Sequence, residues 1–282
     1  MVVLVNFAWG LNFIAGKIGA EVFQPLFFTA IRFFFLFFMM LPWLKPVPGS
    51  MIPLLRVAFL LGVLHFGMIF IGLSRGEDIA SIAIATQLYV PFSAILAAVF
   101  LREKITLMSL SAMSLAFGGI MVIGFDPVVF RHFDAILWVA GAAFVMAVAT
   151  ILMRQCPNLG VFRLQAWIAL VAMPSLLFFS SIFESGQMQT LRDASLIDFW
   201  TPLYSAIGAS VVGHGIVYYL LGRYPVAKIT PLLLPTPVIA SLLGVIVFGD
   251  ILGWRMILGG SMTLAGVLML VKQPQEKKLE PI

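Results

Sequence analysis

His65 and His214 each stand inside a long apolar run with no acidic neighbour. A neutral imidazole donates one hydrogen bond and accepts another, and it titrates near neutral pH. Asn12, Gln87 and Gln165 add amides to similar runs. An amide meets a carboxylate with N–H and an ammonium with its carbonyl, and fixes no charge. Trp9, Tyr89, Trp167 and Tyr218 offer apolar faces with one polar edge. Such side chains suit reversible binding of a small polar solute. The candidate contact set is His65, Gln87, His214, Asn12, Trp167 and Tyr218, each of which can also serve as a hydrogen bond or packing group between helices. No His/Cys/carboxylate cluster has metal-ligand spacing, there is no Walker loop, and no cofactor is expected.

These residues must be positioned by membrane helices. Ten apolar segments run nearly end to end: Val2–Gly19, Leu26–Leu44, Arg56–Leu73, Ile79–Phe100, Leu107–Phe125, Ala135–Met153, Val161–Phe183, Phe199–Leu221, Val226–Phe248 and Trp254–Val271. A bilayer-crossing helix needs about 20 apolar residues. The chain is 62% hydrophobic and 10% charged, whereas a soluble domain carries about 25% charge. An all-α integral membrane protein is expected, with the bilayer as its surroundings. The chain opens directly on the first segment, without a basic leader or cleavage site, so no signal peptide is expected; a native start further upstream is allowed. The single Cys156 makes no internal disulfide and reads as apolar filler.

The net charge of +5 does not point to nucleic acid, because the cations are scattered singly at segment ends. Sorted by alternate joints, eleven Lys and Arg fall on one side (Lys45, Arg56, Arg102, Lys104, Arg154, Arg163, Arg223, Lys228, Lys272, Lys277 and Lys278). Five fall on the other: Lys17, Arg75, Arg131, Arg192 and Arg255. The rich side is expected to face the cytoplasm, with both termini inside.

The order of landmarks repeats. A shift of 149 residues carries His65 onto His214. A shift of 147 carries Ile79-Ala80 onto Val226-Ala227, Glu103 onto Asp250 and Gly119 onto Gly266. Five spans per half is an odd number, so the second half enters from the opposite side. Ten transmembrane helices as two inverted five-helix repeats are expected, with a solute site near mid-membrane between them. His65 lies nine residues past Arg56, about 14 Å along a helix, and His214 lies at similar depth.

Trp9-Gly10-Leu11-Asn12-Phe13, Ile31-Arg32-Phe33, Leu101-Arg102-Glu103-Lys104 and Leu220-Leu221-Gly222-Arg223-Tyr224 resemble the EamA family of the drug/metabolite transporter superfamily. Val212-Gly213-His214-Gly215-Ile216 and Gln87 are most similar to its amino-acid-metabolite branch, which exports cysteine and O-acetylserine. The resemblance runs nearly the whole chain and departs at Gly249-Asp250, where the family has a glutamate turn. It implies a first repeat at 1–125 and a second at 134–272, together one transport domain, then a cytoplasmic tail at 273–282. It implies secondary export of an amino acid or derivative by alternating access, with no enzymatic activity, from a bacterial inner membrane. The implied partners are a small-molecule substrate and the lipid bilayer; a homodimer is allowed. A nucleotide-sugar or drug carrier of the same superfamily is the alternative within transport, though no intramembrane carboxylate stands ready for a cation. A passive channel is a further alternative.

Other residues carry narrower expectations. Arg32, inside the second span, can attract a carboxylate, pair with an outer acid or snorkel to headgroups. Glu103 and Asp250 sit where a carboxylate caps helix N–H groups. Pro231, Pro235 and Pro237 predict a bent ninth helix along the solute path, against Pro91 alone in the fourth. Gly72-Leu73-Ser74-Arg75-Gly76 matches a serine-hydrolase pattern, but it falls in a joint between membrane helices rather than at a strand-to-helix elbow. An intramembrane serine hydrolase using Ser74 is thus the reading from another class.

Overall fold

A bilayer offers no water to backbone N–H and C=O groups, so each spanning segment must bond its own backbone. The computed structural model describes residues 1–75, 79–124, 133–155, 160–249 and 253–272, and none of these lies in a strand. Ten helical stretches carry the fold: α1 Val2–Val22, α2 Pro25–Met40, α3 Met51–Arg75, α4 in two pieces (Ile79–Thr86 and Tyr89–Phe100), α5 Leu107–Gly124, α6 Phe133–Arg154, α7 Val161–Phe183, α8 Leu196–Leu221, α9 Val226–Phe248 and α10 Trp254–Val271. Eight stretches are long and apolar enough to cross a membrane; the apolar parts of α5 and α10 are shorter. The expected segments match closely, except that α3 begins five residues earlier, at Met51. The joint before α8 also holds a short helix, Gln187–Asp193, which no apolar pattern marks.

The packing is symmetric between the halves. α5 packs on α10 and α2 on α7, each against its own counterpart. α1 lies against α8 and α9, and α6 against α3 and α4. α3 runs along α7, as α8 runs along α2. Exchanging the first five helices for the last five leaves this pairing unchanged.

The α5–α10 crossing shows the equivalence at atomic level. A Cβ on Gly119 would stand 2.7 Å from the Thr263 nitrogen; one on Gly266 would stand 2.6 Å from the Ala116 nitrogen. The shift of 147 carries Ala116 onto Thr263 and Gly119 onto Gly266, so this is one contact seen from both sides. Thr263 Oγ1 donates across the crossing to the Ala116 carbonyl at 3.2 Å. Small residues let helix backbones approach this closely.

The helix ends also pair consistently. Glu103 caps a helix, but the helix is α9 in the other half rather than the α5 that follows it. Its two carboxylate oxygens accept from the Val226 and Ala227 N–H groups, each at 2.9 Å. Glu184 does the same for α2, accepting from Leu26 N–H at 2.7 Å and Phe27 N–H at 3.0 Å. A carboxylate there meets both unbonded N–H groups and the positive end of the helix dipole. Arg75, on the cation-poor side of the charge partition, meets Asp134 at 3.1 Å. Asp250 lies outside the described residues.

Two stability predictions follow from these contacts. Gly119→Ala and Gly266→Ala each cost about 1–3 kcal/mol by overpacking, while Gly118→Ala, whose Cβ finds only Met262 Cε at 3.9 Å, changes stability by less than about 0.5 kcal/mol. Glu103→Ala costs about 1–2 kcal/mol through the lost cap. Unfolding in mixed detergent micelles with rising dodecyl sulfate checks each value.

Candidate functional site

The helices that carry the histidines are not regular. Within α3 the turns from Leu60 to His65 are π-helical, and within α8 the same holds from Ser205 to His214. Each widened segment ends on its histidine. A π turn shifts the backbone bonding by one residue and leaves carbonyls to be met from outside the helix. In α8, Trp9 Nε1 donates to the Ala209 carbonyl at 3.3 Å, and Ser210 Oγ donates to the Ser205 carbonyl at 3.1 Å. Gly213 permits this approach, since a Cβ there would lie 2.7 Å from Trp9 Cδ1.

α4 and α9 are both broken partway. The bend in α9 follows its prolines: Val226–Ile229 is α-helical, Thr230–Leu233 is a 3₁₀ turn, and the helix restarts at Thr236. The break in α4 has the same cause despite its single proline. Pro91 has no N–H for the Gln87 carbonyl four residues earlier, and its ring crowds that carbonyl. Gln87 and Leu88 instead bond in the tighter pattern, to Ile84 O at 2.9 Å and Ala85 O at 3.2 Å. Neighbours supply the polar partners that the α9 break needs. Asn6 Nδ2 donates to the Leu232 carbonyl at 3.0 Å, and Thr236 Oγ1 donates to Asn6 Oδ1 at 2.7 Å.

The bulges and breaks surround one cavity, with about 80 Å³ of free space. At about 30 Å³ per water in the liquid, that is room for about three waters. His65, His214, Gln87 and Asn12 all line it, from both halves of the chain. Trp9, Phe13, Phe66, Thr86, Tyr89, Met146, Leu233 and Thr236 complete much of the wall. Among the described residues, no acidic side chain lines it.

His65 Nδ1 lies 2.9 Å from the Ala142 carbonyl. A carbonyl only accepts, so Nδ1 carries the proton, and Nε2 of the neutral ring is an acceptor. His214 is equally buried, and its Nδ1 has no partner among the described groups. The Phe66 ring stands between the two, with centroids 4.7 Å from His65 and 5.1 Å from His214. Trp9 packs on His214 at 4.7 Å. Asn12 accepts from Ser205 Oγ at 2.5 Å, which fixes its carbonyl end.

Among the described residues, Arg32 neither pairs with an outer acid nor reaches the headgroups. It is 1% exposed, so it does not snorkel, and no carboxylate pairs with it among the described residues. Its Nε and Nη2 donate to Ser210 Oγ at 3.1 and 2.7 Å. Its guanidinium carbon lies 4.2 Å from the centre of the Phe66 ring.

The remaining candidates lie elsewhere. Trp167 donates to the Lys45 carbonyl at 3.1 Å, at the end of α2, away from the cavity. Tyr218 packs at a tilt against His214, with ring centroids 5.6 Å apart, but is not among the lining residues. Gln165 is buried outside the cavity beside Gly215, with both amide atoms unpartnered. Ser74 Oγ donates to the Ile71 carbonyl of its own helix at 2.9 Å, while Gly76 lies outside the described residues. Phe66, Thr86, Thr236 and Ser210 were not singled out from the sequence. Signals exist for two of the four: Phe66 follows His65, and Ser210 precedes His214 by one helical turn.

Comparison with known proteins agrees with this architecture. The chain is 25% identical over 279 residues to the "Probable amino-acid metabolite efflux pump" of Salmonella typhimurium, covering 96% of this chain and 93% of that one. It is 27% identical to the Escherichia coli protein of the same name, with the same coverage, and 26% identical to an "Uncharacterized transporter" of Archaeoglobus fulgidus, covering 94% and 95%. A crystal structure of a protein 14% identical superposes with a TM-score of 0.74 over 95% of this chain and 96% of that one, which shows the fold. The EamA-like transporter family model matches residues 1–125 and 134–272. This multi-pass membrane protein belongs to the EamA-like transporter family.

Proposed function

We propose that the protein is a secondary transporter that exports a small amino acid or amino-acid derivative, and that its solute binds in the cavity between His65 and His214. One observation carries this reading: each half contributes one histidine, at the end of a π turn, to the same cavity. The names of the Salmonella and Escherichia relatives support the solute class. The contacts assigned here are His65, His214, Gln87 and Asn12, with Phe66 and Trp9 as apolar walls.

The inverted halves exchange conformations in this reading, so that the cavity opens to each face in turn. The repeats at 1–125 and 134–272 are the moving units. From the histidines the lining runs along α3 to Leu73, toward the cation-poor side. Under the charge rule that side is external and both termini are cytoplasmic, in a bacterial inner membrane. The bulged turns of α3 and α8 and the breaks of α4 and α9 are the places where the helices bend.

Counterflow of radiolabelled L-cysteine and O-acetyl-L-serine in proteoliposomes tests the reading. The purified protein should accumulate label against an internal load of the same solute. His65→Ala with His214→Ala should lower that uptake roughly tenfold or more, as expected for lost buried hydrogen bonds to the solute, with an unchanged elution profile in detergent. Uptake equal to that of the unaltered protein would remove the histidines from the site.

A further inference from the structure

Arg32 is the one strongly charged side chain buried among the described residues. Its hydrogen-bond partner Ser210 is neutral, and so is the Phe66 ring it lies against. Arginine keeps its proton in proteins. A buried charge without a counter-ion is costly, and its field is little screened by water or salt. Phe66 holds the guanidinium over its ring and lines the cavity, where it packs at steep angles against both histidine rings. Among the described residues, nothing acidic in the lining offsets the positive field. The unpartnered Nδ1 of buried His214 adds a hydrogen-bonding atom at the same place.

We propose that Arg32 is the fixed counter-charge for a carboxylate on the solute, acting across the Phe66 ring, so that the cavity selects carboxylate-bearing solutes and does not require an ammonium group. This rests on the cavity being the solute site. Arg32 is a specificity residue here rather than a contact residue. A cationic ester or amine enters against its field, and a neutral solute gains nothing from it.

A matched series separates charge from shape: S-methyl-L-cysteine, N-acetyl-S-methyl-L-cysteine and S-methyl-L-cysteine methyl ester, which are zwitterion, anion and cation. Each is added to the purified protein in detergent and to the counterflow assay. Half-maximal thermal stabilisation and half-maximal inhibition should both need roughly tenfold less of either acid than of the ester. Arg32→Lys should keep that gap and Arg32→Met should close it to within about threefold. Equal potency of acid and ester on the unaltered protein overturns the proposal, whether or not Arg32→Met folds. A gap that survives in Arg32→Met also overturns it. Charge-selective stabilisation without any counterflow would support the assignment and sink the export reading. Counterflow without charge selectivity would do the reverse.

Discussion

Every backbone N–H and C=O within a bilayer needs a partner inside the protein, and this constraint organises the molecule. It makes each span a helix, and it makes any irregular turn in mid-membrane conspicuous. The irregular turns occur in pairs, one per half: π turns ending at His65 and His214, and breaks at Gln87 and near Leu234. Their loosened groups are met by Asn6, Trp9 and Ser210 reaching across from other stretches or back along the helix. Irregular backbone is tolerated at this depth where it lines a cavity, and the cavity lies among these turns.

The two halves share a fold without sharing an environment. Gly119 and Gly266 make the same contact from either side of the α5–α10 crossing. His65 and His214 do not: one donates to Ala142, while the other leaves Nδ1 unpartnered. A pseudo-symmetric pair held unequally is what the proposed exchange of conformations between the halves would require. The guanidinium of Arg32 is the one strong charge buried among the described residues.

The apolar runs made the ten spans legible, because hydrophobic length is written residue by residue. His65, His214, Gln87 and Asn12 were legible as polar groups in those runs, and the repeat set the histidines at one depth. The prolines announced the bend in α9, but the weight given to their number hid the break in α4, where Pro91 alone suffices. The π turns left no trace, since their residues are as apolar as those of a regular helix. Trp167 reads like a site residue by type, yet its indole is spent on the Lys45 carbonyl. Glu103 was recognisable as a cap, but its helix belongs to the other half, a pairing that only the tertiary fold creates. The same holds for Arg32 and Ser210, which lie 178 residues apart.

Alternating exposure of one cavity is best tested by thiol labelling at Thr86, which lines it and is partly accessible. Thr86→Cys, on a background with Cys156 replaced by alanine, is reacted with a membrane-impermeant maleimide in right-side-out and inside-out vesicles. If the halves exchange conformations around this cavity, the thiol reacts from both faces, and saturating transported solute slows both reactions. A thiol that reacts from one face only, at a rate indifferent to solute, would mean that the cavity is not the transport site.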